Sequence, residues 1–199
     1  MKPEIKTSTW PNGQKMHETP YVNGKAHGLE TFWHDNRQKM HEIPYVNGQM
    51  HGLATWWYEN GKKQRETPYV NGEKHGLDTW WHPNGQKRYE IPYVNGKKHG
   101  IETWWYSNGQ KWSEIPYVNG QINGFAIWWH ENGQKWREIS YVNEQRHGLA
   151  TEWFSNGSLK YFEKRHQDQI VWEMSFSSKE QIPENVEVEL FFHETPELI

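Results

Sequence analysis

Residues 69–92 read Tyr69-Val70-Asn71-Gly72-Glu73-Lys74-His75-Gly76-Leu77-Asp78-Thr79-Trp80-Trp81-His82-Pro83-Asn84-Gly85-Gln86-Lys87-Arg88-Tyr89-Glu90-Ile91-Pro92, and the chain then starts over with Tyr93-Val94-Asn95-Gly96. Two Asn-Gly pairs divide this stretch, each between short apolar runs. Asn-Gly in that setting is the strongest local hairpin signal, because a type I′ turn needs positive φ at both central residues. The Thr-Trp-Trp and Ile-Pro-Tyr-Val runs suit a pleated, half-buried surface, and recurrent Pro and Gly exclude helix. The unit therefore reads as two antiparallel strands.

Working outward, Tyr-Val-Asn begins at Tyr21, Tyr45, Tyr69, Tyr93, Tyr117 and Tyr141, always 24 residues apart. The second Asn-Gly recurs at Asn12, Asn60, Asn84, Asn108, Asn132 and Asn156, with Asn36-Arg37 as the exception. His27, His51, His75, His99, Asn123 and His147 each precede a glycine. Six units follow a half unit from Trp10 to Pro20. The expected fold is all-β: an elongated antiparallel array of β-hairpins, a meander of about 13 strands and about 60 Å long. Residues 1–9 read as a lead-in, 10–164 as the array and 165–199 as a non-repeat, acidic β cap. In that cap, Ile170 to Phe176 and Val186 to Phe192 alternate like strands. Across Asn60-Gly61 the expected register pairs Trp57 with Gln64, Trp56 with Arg65 and Thr55 with Glu66. The turn after Val70 is either a two-residue reversal at Asn71-Gly72 or a six-residue loop ending at Gly76.

The chain has 199 residues with a mean hydropathy of -1.12, a value that alone would suggest disorder. Its 14 Trp, 10 Tyr and 7 Phe are too many large rings for a solvated coil, so it folds. No run of about 18 apolar residues argues for a membrane span, and Met1 to Trp10 lacks the apolar core of a secretory signal. With 0 Cys there is no disulfide or thiolate chemistry. A cytoplasmic protein is expected. Residues 166–199 carry eight acids against one base, a balance of -7, while residues 1–165 balance at +4.

The His column invites a metal. Its members sit two strands apart, about 9.6 Å, too far for two imidazoles to share an ion that each must approach to about 2 Å. A turn-organising role fits better. The Glu column (Glu18, Glu42, Glu66, Glu90, Glu114, Glu138) has the same spacing, slightly beyond an inverting glycosidase pair, and equal environments would not divide acid from base. It reads as a structural ladder opposite Thr. No G-x-S-x-G, Walker loop or distinguished serine occurs. The expectation is a non-enzyme with no metal or cofactor.

The unit Tyr69 to Lys87 resembles the MORN-variant repeat, in the form found in bacterial proteins labelled YwqK-family antitoxins. The resemblance covers about residues 10–164. It implies a hairpin scaffold that binds partners, and the antitoxin label implies binding and neutralising a toxin. Arg37, Asn123, Ile127, Glu144 and Glu152 depart from the unit, the last two suggesting an array being closed off.

Adjacent strand residues face opposite sides, so Trp56, Trp80, Trp104 and Trp128 share one face and Trp33, Trp57, Trp81, Trp105, Trp129 and Trp153 the other. The second ladder, with Leu29, Leu53, Leu77, Ile101, Phe125 and Leu149, is expected to be the structural face. The first is left for a partner, together with Tyr58, Tyr106, Arg65, Tyr89 and Arg137. Trp, Tyr and Arg dominate interface hot spots, and these columns vary between units while the turns do not. Three columns vary in this way: Met16 to Trp136, His17 to Arg137 and His34 to His130.

The leading functional expectation is a protein-binding scaffold, an antitoxin- or immunity-type inhibitor whose acidic end suits a basic partner such as a nuclease. A ligand-binding aromatic array for carbohydrate or choline-type groups is the alternative, as is binding of single-stranded nucleic acid. The net charge of -3 argues against nucleic acid, and the lack of a polybasic run against a membrane surface.

Overall fold

The computed structural model describes residues 2–176, which form one open antiparallel sheet of twenty strand segments with no helix. Five of these segments are two-residue pieces, such as Glu73–Lys74, lying between a Tyr-Val-Asn-Gly turn and the longer strand that follows. One unit shows how the sequence builds them. Strand Lys63–Val70 runs into a two-residue reversal in which Asn71 (φ 51°) and Gly72 (φ 87°) both take positive φ, so Val70 pairs with Glu73. The six-residue loop is not formed. After Glu73–Lys74 the chain bulges at His75, whose N–H donates to the Pro68 carbonyl at 3.0 Å, and then enters Gly76–Trp81. Gly76 has φ +111°, and a Cβ there would lie 2.9 Å from Pro68 Cγ. Both backbone and neighbour demand glycine.

The Asn-Gly at mid-unit is a different turn. Gly61 N–H donates to the Tyr58 carbonyl at 2.8 Å, and Tyr58 N–H to that of Lys62 at 2.9 Å. Only the glycine has positive φ (78°), and Asn60 Oδ1 accepts the Lys62 N–H at 3.1 Å. This longer reversal inserts a bulge between Trp56 and Trp57. Trp56 pairs with Arg65 and Thr55 with Glu66 as expected, but Trp57 pairs with Lys63, not Gln64. The expected register failed at that one pair because a tight I′ turn was assumed where Asn60 stays right-handed.

The array extends beyond its sequence-visible limits at both ends. Strand Glu4–Thr9, inside the presumed lead-in, pairs Thr7 with Glu18 as Thr79 pairs with Glu90. Beyond Phe162 the geometry persists without its motif. Gln167 (φ 46°) and Asp168 (φ 65°) form a reversal 24 residues after Asn143-Glu144, and Leu159–His166 pairs with Gln169–Ser175. Glu144 and Glu152 therefore do not close the array: Glu144 holds the turn at φ 68°, and Glu152 pairs across to Tyr161. The expected strand Val186 to Phe192 lies outside the described residues.

The two faces are unlike, and opposite to expectation. Leu29, Leu53, Leu77, Ile101 and Phe125, expected in the structural face, are 45–58% exposed. More side chains are buried on the other face, Ala54, Thr67, Asp78, Ile91, Glu102, Ser113, Ala126, Ile139 and Ala150, whereas on the leucine face the buried residues are the threonines Thr31, Thr55, Thr79 and Thr103. A single-layer sheet can bury one face only if that face's own side chains close over it. The larger share of buried side chains lies on the Trp56 side. We call this the inner face.

Candidate functional site

On the inner face one row of cross-strand neighbours runs the length of the array. The pairings carry it from His17 through Phe32, His41, Trp56, Arg65, Trp80, Tyr89, Trp104, Ser113 and Trp128 to Arg137. The register thus brings seven of the nine expected binding residues into a single line: Trp56, Trp80, Trp104, Trp128, Arg65, Tyr89 and Arg137. Their rings touch. Tyr89 lies 5.4 Å from Trp80 and 4.8 Å from Trp104 between centroids, and the Arg65 guanidinium sits 5.3 Å from the Trp56 ring and 5.9 Å from Trp80. At the first unit His17, Phe32 and His41 stack at 4.0 and 4.5 Å, and burial lowers the His41 pKa against the opposing pull of Glu30.

Tyr58 and Tyr106 do something else. Their hydroxyls donate to the Trp81 and Trp129 carbonyls of the next unit, at 2.7 and 2.9 Å, so they fasten unit to unit. Trp10 Nε1 makes the same bond to the Trp33 carbonyl at 3.1 Å.

The mid-unit bulge adds residues that strict alternation had put on the wrong side. The column Met16, Met40, Gln64, Arg88, Trp112, Trp136 joins the inner face. The Trp112 ring meets Trp104 at 5.9 Å, edge on, and Arg88 stands 5.2 Å over Trp80. Trp112 and Trp136 are each 38% exposed, the most open tryptophans here. Their variability between units was visible in the sequence; their side was not.

Beneath the row lies a buried acidic position that changes from unit to unit. Asp78, 1% exposed, accepts from Arg65 Nε and Nη2 at 2.9 and 2.7 Å, Lys74 Nζ at 2.8 Å and Thr67 Oγ1 at 2.8 Å. Burial alone would raise its pKa, but these donors together hold it below the ordinary carboxylate value. Glu102 is held by Lys98 and accepts Trp104 Nε1 at 2.6 Å. Where Ala54 and Ala126 replace the acid, Met50 and Ile122 replace the lysine four residues earlier. Charge and its absence are matched in these four units; in the first, Glu30 stands with Ala26 and lies 3.6 Å from His17 Nε2, and in the last Ala150 stands with Arg146. Burial, with Asp78 nearby, pushes the Tyr89 hydroxyl up to about 12, so it stays protonated.

The outer face is organised by ion pairs. Lys15, Lys39, Lys63, Lys87, Lys111 and Lys135 each bind the glutamate three residues on, most at 2.5–2.6 Å. Five of these lysines also lie 5.3–5.9 Å over a tryptophan ring of the next unit. The Glu column is thus the ladder the sequence indicated, opposite Thr31, Thr55, Thr79 and Thr103. The His column organises turns: Nδ1 of His27, His51, His75 and His99 accepts an asparagine N–H of the next turn at 3.4–3.5 Å. Among the described residues no group of three His, Cys, Asp or Glu is placed to hold a metal ion.

These features define a β-hairpin repeat protein in which, among the described residues, strand pairing joins each unit to its neighbours. Four segments, residues 50–71, 74–95, 98–119 and 123–143, match the MORN repeat variant family. MORN repeats are generally non-catalytic scaffolds that bind proteins or membranes. The hairpin at Lys15–Val22 and Gly28–Trp33 lies outside the matched segments but keeps the same register, Glu18 opposite Thr31. No curated protein matches the chain.

Proposed function

We propose that this protein is a non-enzymatic, protein-binding scaffold of the antitoxin or immunity type, which covers a partner with its inner face. One observation carries the reading: the continuous row from His17 to Arg137, rich in Trp, Tyr and Arg, with Arg88, Trp112 and Trp136 standing beside it on the bulges. Side chains of these types, assembled on a rigid sheet, are those that concentrate binding energy. The residues proposed to meet the partner are Trp56, Trp80, Trp104, Trp128, Arg65, Tyr89 and Arg137, with the three bulge residues added. The acidic C-terminal sequence favours a basic toxin such as a nuclease, chiefly through association rate, and the setting we propose is the bacterial cytoplasm.

Protein is favoured over membrane because most inner-face cations are already matched, Arg65 and Lys74 by Asp78, Lys98 by Glu102, Arg137 by Glu152 and Arg165 by Glu163, while Arg88 stands over a tryptophan ring. It is favoured over sugar or choline because Arg65 and Arg88 stand over the Trp56 and Trp80 rings and the outer lysines over the second tryptophan ladder, so fewer free ring faces are left for such ligands.

The test is affinity capture from a bacterial lysate with mass spectrometry, comparing wild type with Arg88→Ala/Trp112→Ala/Trp136→Ala. These exposed bulge positions lie at the margin of the packed row, and the thermal midpoint reports any loss of their contacts with Trp80 and Trp104. Loss of one captured protein at unchanged thermal midpoint supports the reading; an identical capture profile contradicts it.

A further inference from the structure

Tyr-Val-Asn-Gly occurs at Tyr21, Tyr45, Tyr69, Tyr93 and Tyr117, but the five turns do not share the same surroundings. In four of them the glycine N–H donates to a carbonyl of the preceding unit: Gly48 to Ala26, Gly72 to Met50, Gly96 to Lys74 and Gly120 to Lys98, at 2.8–2.9 Å. The asparagine N–H of the same four turns faces His27, His51, His75 or His99, at 3.4–3.5 Å. At Asn23-Gly24 the described chain supplies strand Glu4–Thr9 on the preceding side. Where a preceding histidine would stand the chain has Pro3, and among the described residues neither the Asn23 nor the Gly24 N–H has an acceptor. Both residues are exposed, and a Cβ on Gly24 would meet nothing within 4 Å.

That difference has a chemical meaning. An Asn-Gly pair deamidates when the glycine nitrogen, giving its proton to solvent base, attacks the asparagine side-chain carbonyl carbon. A C–N bond forms, the tetrahedral carbon expels the side-chain nitrogen as ammonia, and a succinimide remains. Water opens it at either carbonyl, leaving aspartate or isoaspartate; nothing is oxidised or reduced. A glycine N–H held by a carbonyl acceptor keeps its proton and its orientation, so the nucleophile is withheld. The mid-unit turns are closed in the same way, with Gly13, Gly61, Gly85, Gly109, Gly133 and Gly157 bound to a carbonyl three residues back at 2.8–3.0 Å.

We infer that Asn23-Gly24 is the spontaneous deamidation site among these turns, because neither of its backbone N–H groups is held by an acceptor among the described residues. Conversion places a new carboxylate at the tip of the first hairpin. In its isoaspartyl form it also lengthens the turn backbone, which a two-residue reversal does not accommodate.

The identical local sequence supplies the control. The full chain is held in mildly alkaline buffer, native and in urea, and each asparagine is followed by peptide mapping with mass spectrometry. In the native protein Asn23 should convert about five- to tenfold faster than Asn47, Asn71, Asn95 or Asn119, the factor an ordinary hydrogen bond supplies. In urea the five should convert alike. Equal rates in the native protein, or a faster site among the other four, would overturn the inference.

Discussion

Asp78→Ala is the most informative single substitution, because its neighbours in the repeat already show what a viable unit looks like with alanine there. In its own unit the change leaves Arg65 and Lys74 without their shared carboxylate, and Thr67, 0% exposed, without its acceptor. Breaking a fully buried pair costs about 3–5 kcal/mol. The cations here keep 25% and 28% of their side chains in water, so they rehydrate in part and the cost falls to about 2–3 kcal/mol. Adding Lys74→Met and Arg65→His rebuilds the charge surroundings of Ala54, which has Met50 and His41 in the corresponding places, and leaves only Thr67, where Ala54 has Ile43, without its acceptor. Replacing a buried ionic group by matched, less polar neighbours is often neutral or stabilising, so the triple variant should recover most of the loss. Urea denaturation followed by tryptophan fluorescence measures both. If the single variant costs less than about 0.5 kcal/mol, or the triple variant is no better than the single, the matching of charge between units has no energetic basis.

Acid should act through the same carboxylate. The folded-state pKa of Asp78 is lowered, so its stabilisation is complete above the unfolded value of about 4 and is lost as pH falls through the lower folded value. Denaturation midpoints between neutral pH and about pH 2 should therefore fall less steeply in the triple variant than in wild type. Arg37 holds a turn at φ 69° where equivalent positions have glycine, so Arg37→Gly should stabilise by about 0.5–1 kcal/mol, read as a higher urea midpoint. The converse, Gly76→Ala, meets both φ +111° and the Pro68 ring and should destabilise by more than about 2 kcal/mol in the same assay.

The sequence made the period, the hairpins and most of the register legible, because Asn-Gly spacing and Thr opposite Glu are local signals. It did not tell which face is buried. Alternation separates Leu53 from Ala54 but does not say which side the sheet closes on, and hydrophobicity alone favoured the leucine side. The bulges at Trp56/Trp57 and at His75 were not legible either, because they follow from turn geometry finer than the Asn-Gly motif. The same bulge carried Arg88, Trp112 and Trp136 to the inner face, where a strict period of two had not put them. The sequence singles out Tyr58 and Tyr106 because their column varies; that their hydroxyls reach carbonyls 23 residues on is a contact that no short-range pattern displays. At the ends, Glu4–Thr9 and the Gln167-Asp168 turn keep the backbone of the repeat after losing its residues.

The central claim is that the inner face is the contact surface, and hydroxyl-radical footprinting of the chain with its captured partner tests it most directly. Oxidation at Trp104, Trp112, Trp128 and Trp136 should fall on binding, while Leu53, Leu77, Ile101 and Phe125 on the outer face react as before. Protection of the leucine column with unchanged labelling of those four tryptophans would contradict it.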